Sequence, residues 1–152
     1  MVNKYLYIIM PVKDSIEIAE RAIRAIVSSG HTLCVFDDNS QPENAQRLDE
    51  IAAETNIHVV HIAELTDHPS PNYRLVLQLA RKEALATNRH LVIVESDVII
   101  QSDTLNRMFG VHRVNKNINC FTTTLTYSIN IKYNFIIINI WMIFIVPEKK
   151  LE

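Results

Sequence analysis

Four short apolar runs, separated by segments with helical periodicity, constrain the fold of this sequence more than any other feature. The runs have the length of β-strands and cover residues 5–10, 33–36, 58–62 and 91–94. Between them, apolar residues recur every three or four positions, as in an amphipathic helix. Strands that alternate with helices predict an α/β domain with a mainly parallel sheet. A chain of 152 residues is long enough for one such domain.

Local signals predict where these elements begin and end. Pro11 is expected to end the first strand, because proline lacks the N–H group that a sheet uses. We expect Asp14 and Ser40 to cap the first two helices, since a glutamate follows each of them three residues later, as in a capping box. Asn72 and Ser102 are expected to cap a third helix and a short fourth one.

The composition excludes several classes of function. The chain contains two glycines, too few for a P-loop or for the glycine motif that binds dinucleotides. The formal net charge of -2 argues against a nucleic-acid-binding protein, which normally carries a basic surplus. We therefore expect no nucleic-acid partner.

The cysteines and histidines do not indicate a disulfide scaffold or a zinc site. The two cysteines, Cys34 and Cys120, are too few for either and fit a reducing compartment. The cytoplasm is the expected location, with the inner face of the membrane as the alternative. Cys34 lies between apolar strand residues and is expected to pack in the core. His58 and His61 have a spacing that places them on opposite faces of a strand, which is wrong for a chelate.

Acidic residues follow two of the predicted strands. Asp37 and Asp38 come after the second strand, and Glu95 and Asp97 come after the fourth. Because the carboxyl ends of parallel strands meet at one edge of a sheet, this edge is where chemistry is expected. Carboxylates together with a diphosphate suit Mg²⁺ or Mn²⁺, which prefer oxygen ligands. The alternatives are a turn with a helix cap for the first pair and a solvated loop for the second.

Four segments resemble those of family 2 glycosyltransferases, in the same order and with similar spacing. Residues 7–14 resemble the opening strand with its proline and polar turn. Residues 34–40 resemble the strand end written VVDDGS, and residues 72–82 are similar to the helix before the metal motif. Residues 91–97 resemble the strand that bears the D-x-D motif. The resemblance covers roughly residues 5–109.

This resemblance implies the GT-A fold, in which an α/β half that binds a nucleotide-sugar precedes a half that binds the acceptor. It implies that Asp37 and Asp38 contact the uracil and ribose of a UDP-sugar. The backbone from Pro11 to Lys13 would line the base pocket. Arg74 would also contact the nucleotide.

The resemblance also implies a metal-assisted reaction that moves a sugar from a nucleoside diphosphate sugar to an acceptor hydroxyl on a sugar or lipid-linked molecule. Asp97 would bind a divalent cation, Mn²⁺ or Mg²⁺, together with the diphosphate, and Glu95 would assist in place of the first Asp of D-x-D. Asn39 replaces a glycine of the family pattern and tolerates the same left-handed turn. No general base is identified, because Glu148 and Glu152 are the only acids after Gly110 and neither has a matching context.

The sequence changes character near residue 110, and we expect the nucleotide-sugar-binding domain to span residues 1–109. For residues 110–152 we weigh two strands at 121–131 and 135–146, a membrane helix around the apolar run, and a read-through end. Peripheral membrane contact and homodimerisation remain open alternatives. For the whole chain, the alternatives to a glycosyltransferase are a non-catalytic nucleotide-binding fragment and a nucleotidyltransferase of the same architecture.

Overall fold

Strands and helices alternate along the chain in the computed structural model, which describes residues 5–114 and the side chains to Phe109. The elements are β1 Leu6–Val12, α1 Ile16–Ser28, β2 Leu33–Asp37, α2 Pro42–Thr55, β3 His58–His61, a 3-10 turn Ile62–Glu64, α3 Tyr73–Ala86, β4 His90–Ile93 and α4 Thr104–Val114. In this part of the chain one sheet has the strand order β3-β2-β1-β4. Each of its pairings is parallel, so the predicted α/β class is confirmed.

The helices cover the two faces of the sheet unequally. Helices α1, α2 and α4 pack against one face, where Ile8, Ile23 and Leu48 belong to a single apolar core. Helix α3 packs against the other face through Val76 and Ala80. Ile8, Ile23 and Leu48 are 0–1% exposed, and burying each such side chain contributes roughly 2 kcal/mol of apolar transfer free energy.

The first strand does not end at its proline, so that prediction is wrong. β1 continues through Pro11 to Val12, and Pro11 lies opposite Phe36 of β2. Pairing of β1 with β4 reaches only Ile9. The strand has no β4 partner at the proline, and a residue without an N–H group is tolerated on such a locally unpaired edge.

Two of the predicted helix caps are also wrong. Helix α1 begins after Ser15 and helix α2 after Gln41, and neither N-terminus has a side-chain cap. Asp14 instead accepts hydrogen bonds from the backbone N–H of Gln41 at 2.8 Å and from the side chain of Asn44 at 3.1 Å. The Ser40 hydroxyl accepts a hydrogen bond from the backbone N–H of Asp14 at 2.8 Å. Both would-be caps therefore tie the start of α1 to the start of α2.

The last described helix starts slightly later than predicted and runs back along the sheet. α4 begins at Thr104, two residues after Ser102, and continues to Val114. The Phe109 ring lies 6.0 Å from the Tyr5 ring and 5.3 Å from the His90 ring, at the amino-terminal ends of β1 and β4. The interpretations of residues 121–131 and 135–146 fall outside the described residues. No helix within residues 5–114 is long and apolar enough to cross a membrane.

Candidate functional site

The residues singled out in the sequence gather at the carboxyl ends of the strands. We call this region the carboxyl edge, and it consists of residues 11–15, 37–41, 68–74 and 95–97. Because β1 lies between β2 and β4, the two acidic pairs stand on either side of the β1–α1 turn. The start of α3 reaches the same edge, since the Asn72 side chain contacts Asp38 and the Tyr73 hydroxyl contacts Glu95. This is the arrangement that a parallel sheet predicts.

Asp38 holds the start of α3 in place. Its Oδ2 atom accepts hydrogen bonds from the Ser70 hydroxyl at 2.8 Å and the Asn72 backbone N–H at 2.9 Å, and its Oδ1 atom accepts one from the Asn72 side chain at 2.8 Å. Burial alone would raise the pKa of Asp38, but the bonds from Asn72 and Ser70 hold it below its usual value. Asp38 is thus buried but charged, because hydrogen bonds from the protein take the place of the water molecules that would otherwise surround it.

Asp37 contacts β3 and the turn before α2 instead of the start of α3. Its Oδ1 atom accepts a hydrogen bond from the Ser40 backbone N–H at 3.1 Å, and its Oδ2 atom lies 2.8 Å from Nδ1 of His61. Asp37 is 2% exposed. The predicted pair therefore diverges, so that each carboxylate fixes a different neighbouring segment.

Asp14 and Ser15 form a strained turn beside this pair, and Lys13 precedes them. Asp14 and Ser15 have φ values of 52° and 48°, and Asn39 in the facing turn has a φ of 59°. The left-handed conformation expected for Asn39 is confirmed. Such residues each cost of order 1 kcal/mol in backbone strain. The Lys13 ammonium group donates to the carbonyl oxygen of Asn39 at 3.0 Å, which joins the two turns.

Glu95 and Asp97 have few partners at the end of β4. The Tyr73 hydroxyl donates a hydrogen bond to Oε1 of Glu95 at 3.2 Å, and Asp97 is exposed. Burial raises the pKa of Glu95 and the Asp97 charge raises it further, while the Tyr73 bond lowers it. Burial also raises the pKa of Tyr73, to about 12. The negative charges of these two carboxylates repel each other, and a bound cation would reduce that repulsion.

The other predicted site residues lie close to these groups in the chain. Pro11 is half-buried in β1, and Arg74 is exposed in the first turn of α3. Within residues 5–114 no group of three or more His, Cys, Asp or Glu side chains is arranged to hold a metal ion.

Sequence reasoning missed polar partners of the acidic residues at this edge. Asn72 was predicted only as a helix cap, and it caps nothing with its side chain but binds Asp38 instead. Tyr73 and His61 were not predicted at all as partners of the acidic residues. One weak signal in the sequence could have found them. Each of these residues is predicted to lie close to the end of a helix or strand that reaches the carboxyl ends of the strands.

A cavity lies along the face of the sheet that α3 covers. It has a volume of about 660 Å³ and is lined by residues of β1, β2 and β3 and by one side of α3. Cys34 and Phe36 are among its apolar walls, and Lys82, Glu83 and Arg89 are among its polar ones. The predicted burial of Cys34 is confirmed, at 4% exposed. None of the predicted site residues lines this cavity, so we do not assign the nucleotide to it.

The sequence matches no protein-family model and no curated protein, but its structure resembles those of known enzymes. TarS 1–349 of S. aureus in complex with UDP has a TM-score of 0.53 and 16% identity, over 73% of this chain and 32% of that chain. Glucosyl-3-phosphoglycerate synthase from Mycobacterium tuberculosis in complex with UDP has a TM-score of 0.54 and 18% identity, over 76% of this chain and 42% of that chain. The same synthase is also known with Mn²⁺ and UDP-glucose, at a TM-score of 0.54 and 17% identity.

The likeness fixes the fold of the described residues. The aligned part amounts to about a third of TarS 1–349 and two fifths of the synthase. The order of elements and the parallel sheet agree with what the resemblance to family 2 glycosyltransferases implies. The chain therefore has the GT-A fold of these glycosyltransferases and fits its amino-terminal half.

Proposed function

We propose that the carboxyl edge binds a nucleoside diphosphate sugar, in particular a UDP-sugar. The observation that carries this proposal is the gathering of Lys13, Asp37, Asp38, Arg74 and the Glu95–Asp97 pair at one edge of a GT-A sheet. The UDP and UDP-glucose complexes of the structural neighbours support a nucleotide-sugar ligand. The proposed activity is transfer of the sugar to an acceptor hydroxyl of a sugar or lipid-linked molecule.

Nucleotide contacts are proposed for the residues at the β1 and β2 ends. A carboxylate has about four acceptor positions. Two are used on Asp37 and three on Asp38 by the contacts described above, so each retains an acceptor position for an N–H or O–H group of uracil or ribose. Pro11 and Lys13 are proposed to border the base, and the exposed guanidinium of Arg74 is proposed to meet the negative charge of the nucleotide.

The Glu95–Asp97 pair is proposed to hold a divalent cation. Oxygen donors suit Mg²⁺ and Mn²⁺, and such ions commonly take one or two carboxylates together with substrate phosphates. The chemistry of this donor set fits: the pKa of Glu95 is raised by burial and by the neighbouring charge of Asp97, and the exposed Asp97 is accessible to a ligand. When bound, the ion supplies positive charge to the leaving diphosphate.

Calorimetric titration of the protein with UDP, first with Mn²⁺ and then with EDTA, tests this proposal. We expect UDP to bind in the presence of Mn²⁺ and to bind more weakly in EDTA. Absence of binding under both conditions, from protein whose circular dichroism shows it to be folded, would contradict the proposal.

Two further assays separate the chemical alternatives. Product analysis with a labelled UDP-sugar distinguishes sugar transfer from nucleotide binding alone. Release of pyrophosphate from a nucleoside triphosphate and a sugar phosphate would identify a nucleotidyltransferase. Such enzymes typically carry a glycine-rich basic loop after their first strand, whereas residues 11–14 contain one lysine and no glycine.

A further inference from the structure

His61 bridges two carboxylates from different elements. Its Nδ1 atom lies 2.8 Å from Oδ2 of Asp37 at the end of β2, and its Nε2 atom lies 3.1 Å from Oδ1 of Asp49 in α2. A carboxylate accepts hydrogen bonds and does not donate them, so both ring nitrogens must carry protons for both contacts to form. The geometry is therefore that of an imidazolium ion held between two anions.

The surroundings favour this charged form. Burial alone would lower the pKa of His61, but the hydrogen bonds and charges of Asp37 and Asp49 raise it above its usual value. These two carboxylates are the charged groups that contact the ring from β2 and α2. On β3 itself, His58 lies at the other end of the strand and lines the cavity. The imidazolium is the prevailing form below the ordinary histidine pKa and is lost as the pH rises through the folded-state value.

We propose that His61 is a positioning residue of the nucleotide site: its ring fixes the Asp37 carboxylate at the carboxyl edge, and Asp49 braces the ring from the outside. This inference rests on the proposed function of the edge. Asp37 is held from two sides, because Ser40 donates to one oxygen and His61 to the other. Fixing both oxygens orients the remaining lone pairs of Asp37 before a ligand arrives, which lowers the ordering cost of binding.

The position of Asp49 makes the inference testable without disturbing the core. The Asp49 side chain is 64% exposed, whereas that of Asp37 is 3% exposed. Asp49→Asn keeps the size and shape of the side chain that contacts His61 but removes its negative charge. His61→Gln keeps a neutral donor for Asp37, and His61→Ala removes the contact. His58→Gln is the matched control, since it makes the same change on the same strand outside the carboxyl edge.

The first measurement is an NMR titration of the His61 ring protons in the ligand-free protein. We expect a pKa above the ordinary value in the wild type and a lower one in Asp49→Asn. The second is UDP calorimetry with Mn²⁺ from about pH 6 to about pH 9. An ordinary histidine changes charge between about pH 5 and pH 8, and the range is set higher because the pKa of His61 is raised. We expect the wild-type affinity to fall as the pH rises through the folded-state pKa of His61. The affinity of His61→Gln should not follow that titration.

The variants should separate in a defined order. His61→Ala is expected to weaken UDP binding about tenfold, the effect of roughly one hydrogen bond to a charged group. His61→Gln should recover part of that loss, and His58→Gln should match the wild type. Wild-type protein that binds no UDP would overturn the proposed function and this inference with it. Wild-type binding that is unchanged in His61→Ala, or a His61 pKa unaffected by Asp49→Asn, would overturn the positioning role alone.

Discussion

The two acidic pairs of the carboxyl edge are built in opposite ways. At the end of β2, Asp37 and Asp38 are 2% and 8% exposed and accept hydrogen bonds from four neighbouring residues. At the end of β4, Glu95 has one phenol partner and Asp97 is exposed. Most acceptor positions of the first pair are thus occupied by neighbouring segments of the protein, whereas the second pair has one side-chain partner, the Tyr73 hydroxyl, among the described residues.

The pKa values express the same difference. Burial raises the pKa of Asp38 and of Glu95 alike, yet the pKa of Asp38 ends below its usual value and that of Glu95 above it. The number of donors explains the reversal, because Asp38 has three hydrogen bonds and Glu95 has one. Location at a strand end alone therefore does not tell whether a carboxylate is structural or free to bind.

Asp97→Ala should have the largest effect on binding and almost none on stability. We expect the Mn²⁺-dependent part of UDP binding to be lost, since Asp97 is the proposed principal ligand of the ion. The free energy of unfolding in urea should change by less than about 0.5 kcal/mol, as is usual for exposed side chains. Asp103→Ala, another exposed carboxylate after β4, is the control. Undiminished Mn²⁺-dependent binding in Asp97→Ala would contradict the assignment.

Asp38→Ala should have the largest effect on stability. It leaves the buried N–H groups of Asn72 without their acceptor, and we expect a loss of about 3 kcal/mol in the free energy of unfolding. Urea denaturation measures this loss. Asp67→Ala removes an exposed aspartate from the loop that precedes α3 and should be nearly neutral. Equal stability of the two variants would show that Asp38 does not anchor the start of α3.

The contribution of Asp38 should also depend on pH. Because its folded-state pKa is depressed, the stabilisation is fully present above the unfolded-state value, about 4, and is lost as the pH falls through the folded-state value. The stability difference between the wild type and Asp38→Asn, measured by urea denaturation at several pH values, should shrink on acidification. A difference that grows towards low pH would contradict this account.

Glu95→Gln should make the protein slightly more stable at neutral pH. The folded-state pKa of Glu95 is raised, so the proton on this group favours folding below the ordinary value of 4.5, and that advantage is lost as the pH rises. The glutamine amide carries no charge, so the variant does not lose this stability as the pH rises. We expect a gain of less than about 1 kcal/mol because the group is partly exposed to water. Thermal unfolding at neutral and acid pH should show a gain only at neutral pH, and Glu64→Gln, which is exposed, should show none.

Tyr73→Phe should produce the smallest change. Its hydroxyl makes a partly exposed hydrogen bond of 3.2 Å, and we expect the free energy of unfolding to fall by about 0.5 kcal/mol or less. The pKa of Glu95 should rise further, because the Tyr73 bond lowers it. Carbon-detected NMR titration of the Glu95 carboxyl measures this shift. An unchanged titration would mean that the phenol does not act on Glu95 in solution.

The alternation of strands and helices and the gathering of acids at one edge follow from signals that the sequence carries plainly. Apolar runs of strand length and helical periodicity are properties of consecutive residues, and parallel strands force their carboxyl ends together. Asp37, Asp38, Glu95 and Asp97 could therefore be placed at one edge from the sequence. Their roles as ligands of a nucleotide or metal remain predictions.

The hydrogen bonds that distinguish one acidic residue of the edge from another could not be predicted from the sequence, because they join residues far apart in the chain. Asp14 has the spacing of a helix cap, but the backbone N–H of Gln41, 27 residues away, takes its carboxylate instead. Asp37 and His61 are separated by 24 residues. In each case a tertiary partner competes with the local one, and its side chain comes within reach only after the sheet has formed.

The pairing of β1 with β4 has a consequence for how the domain is assembled. It joins Leu6 to His90, and closing such a long loop is entropically costly and slow in comparison with local contacts. During synthesis, β1 can pair with β2 long before β4 leaves the ribosome. We therefore expect Glu95 and Asp97 to reach their positions last in folding, after the Asp37–Asp38 half of the edge has already formed.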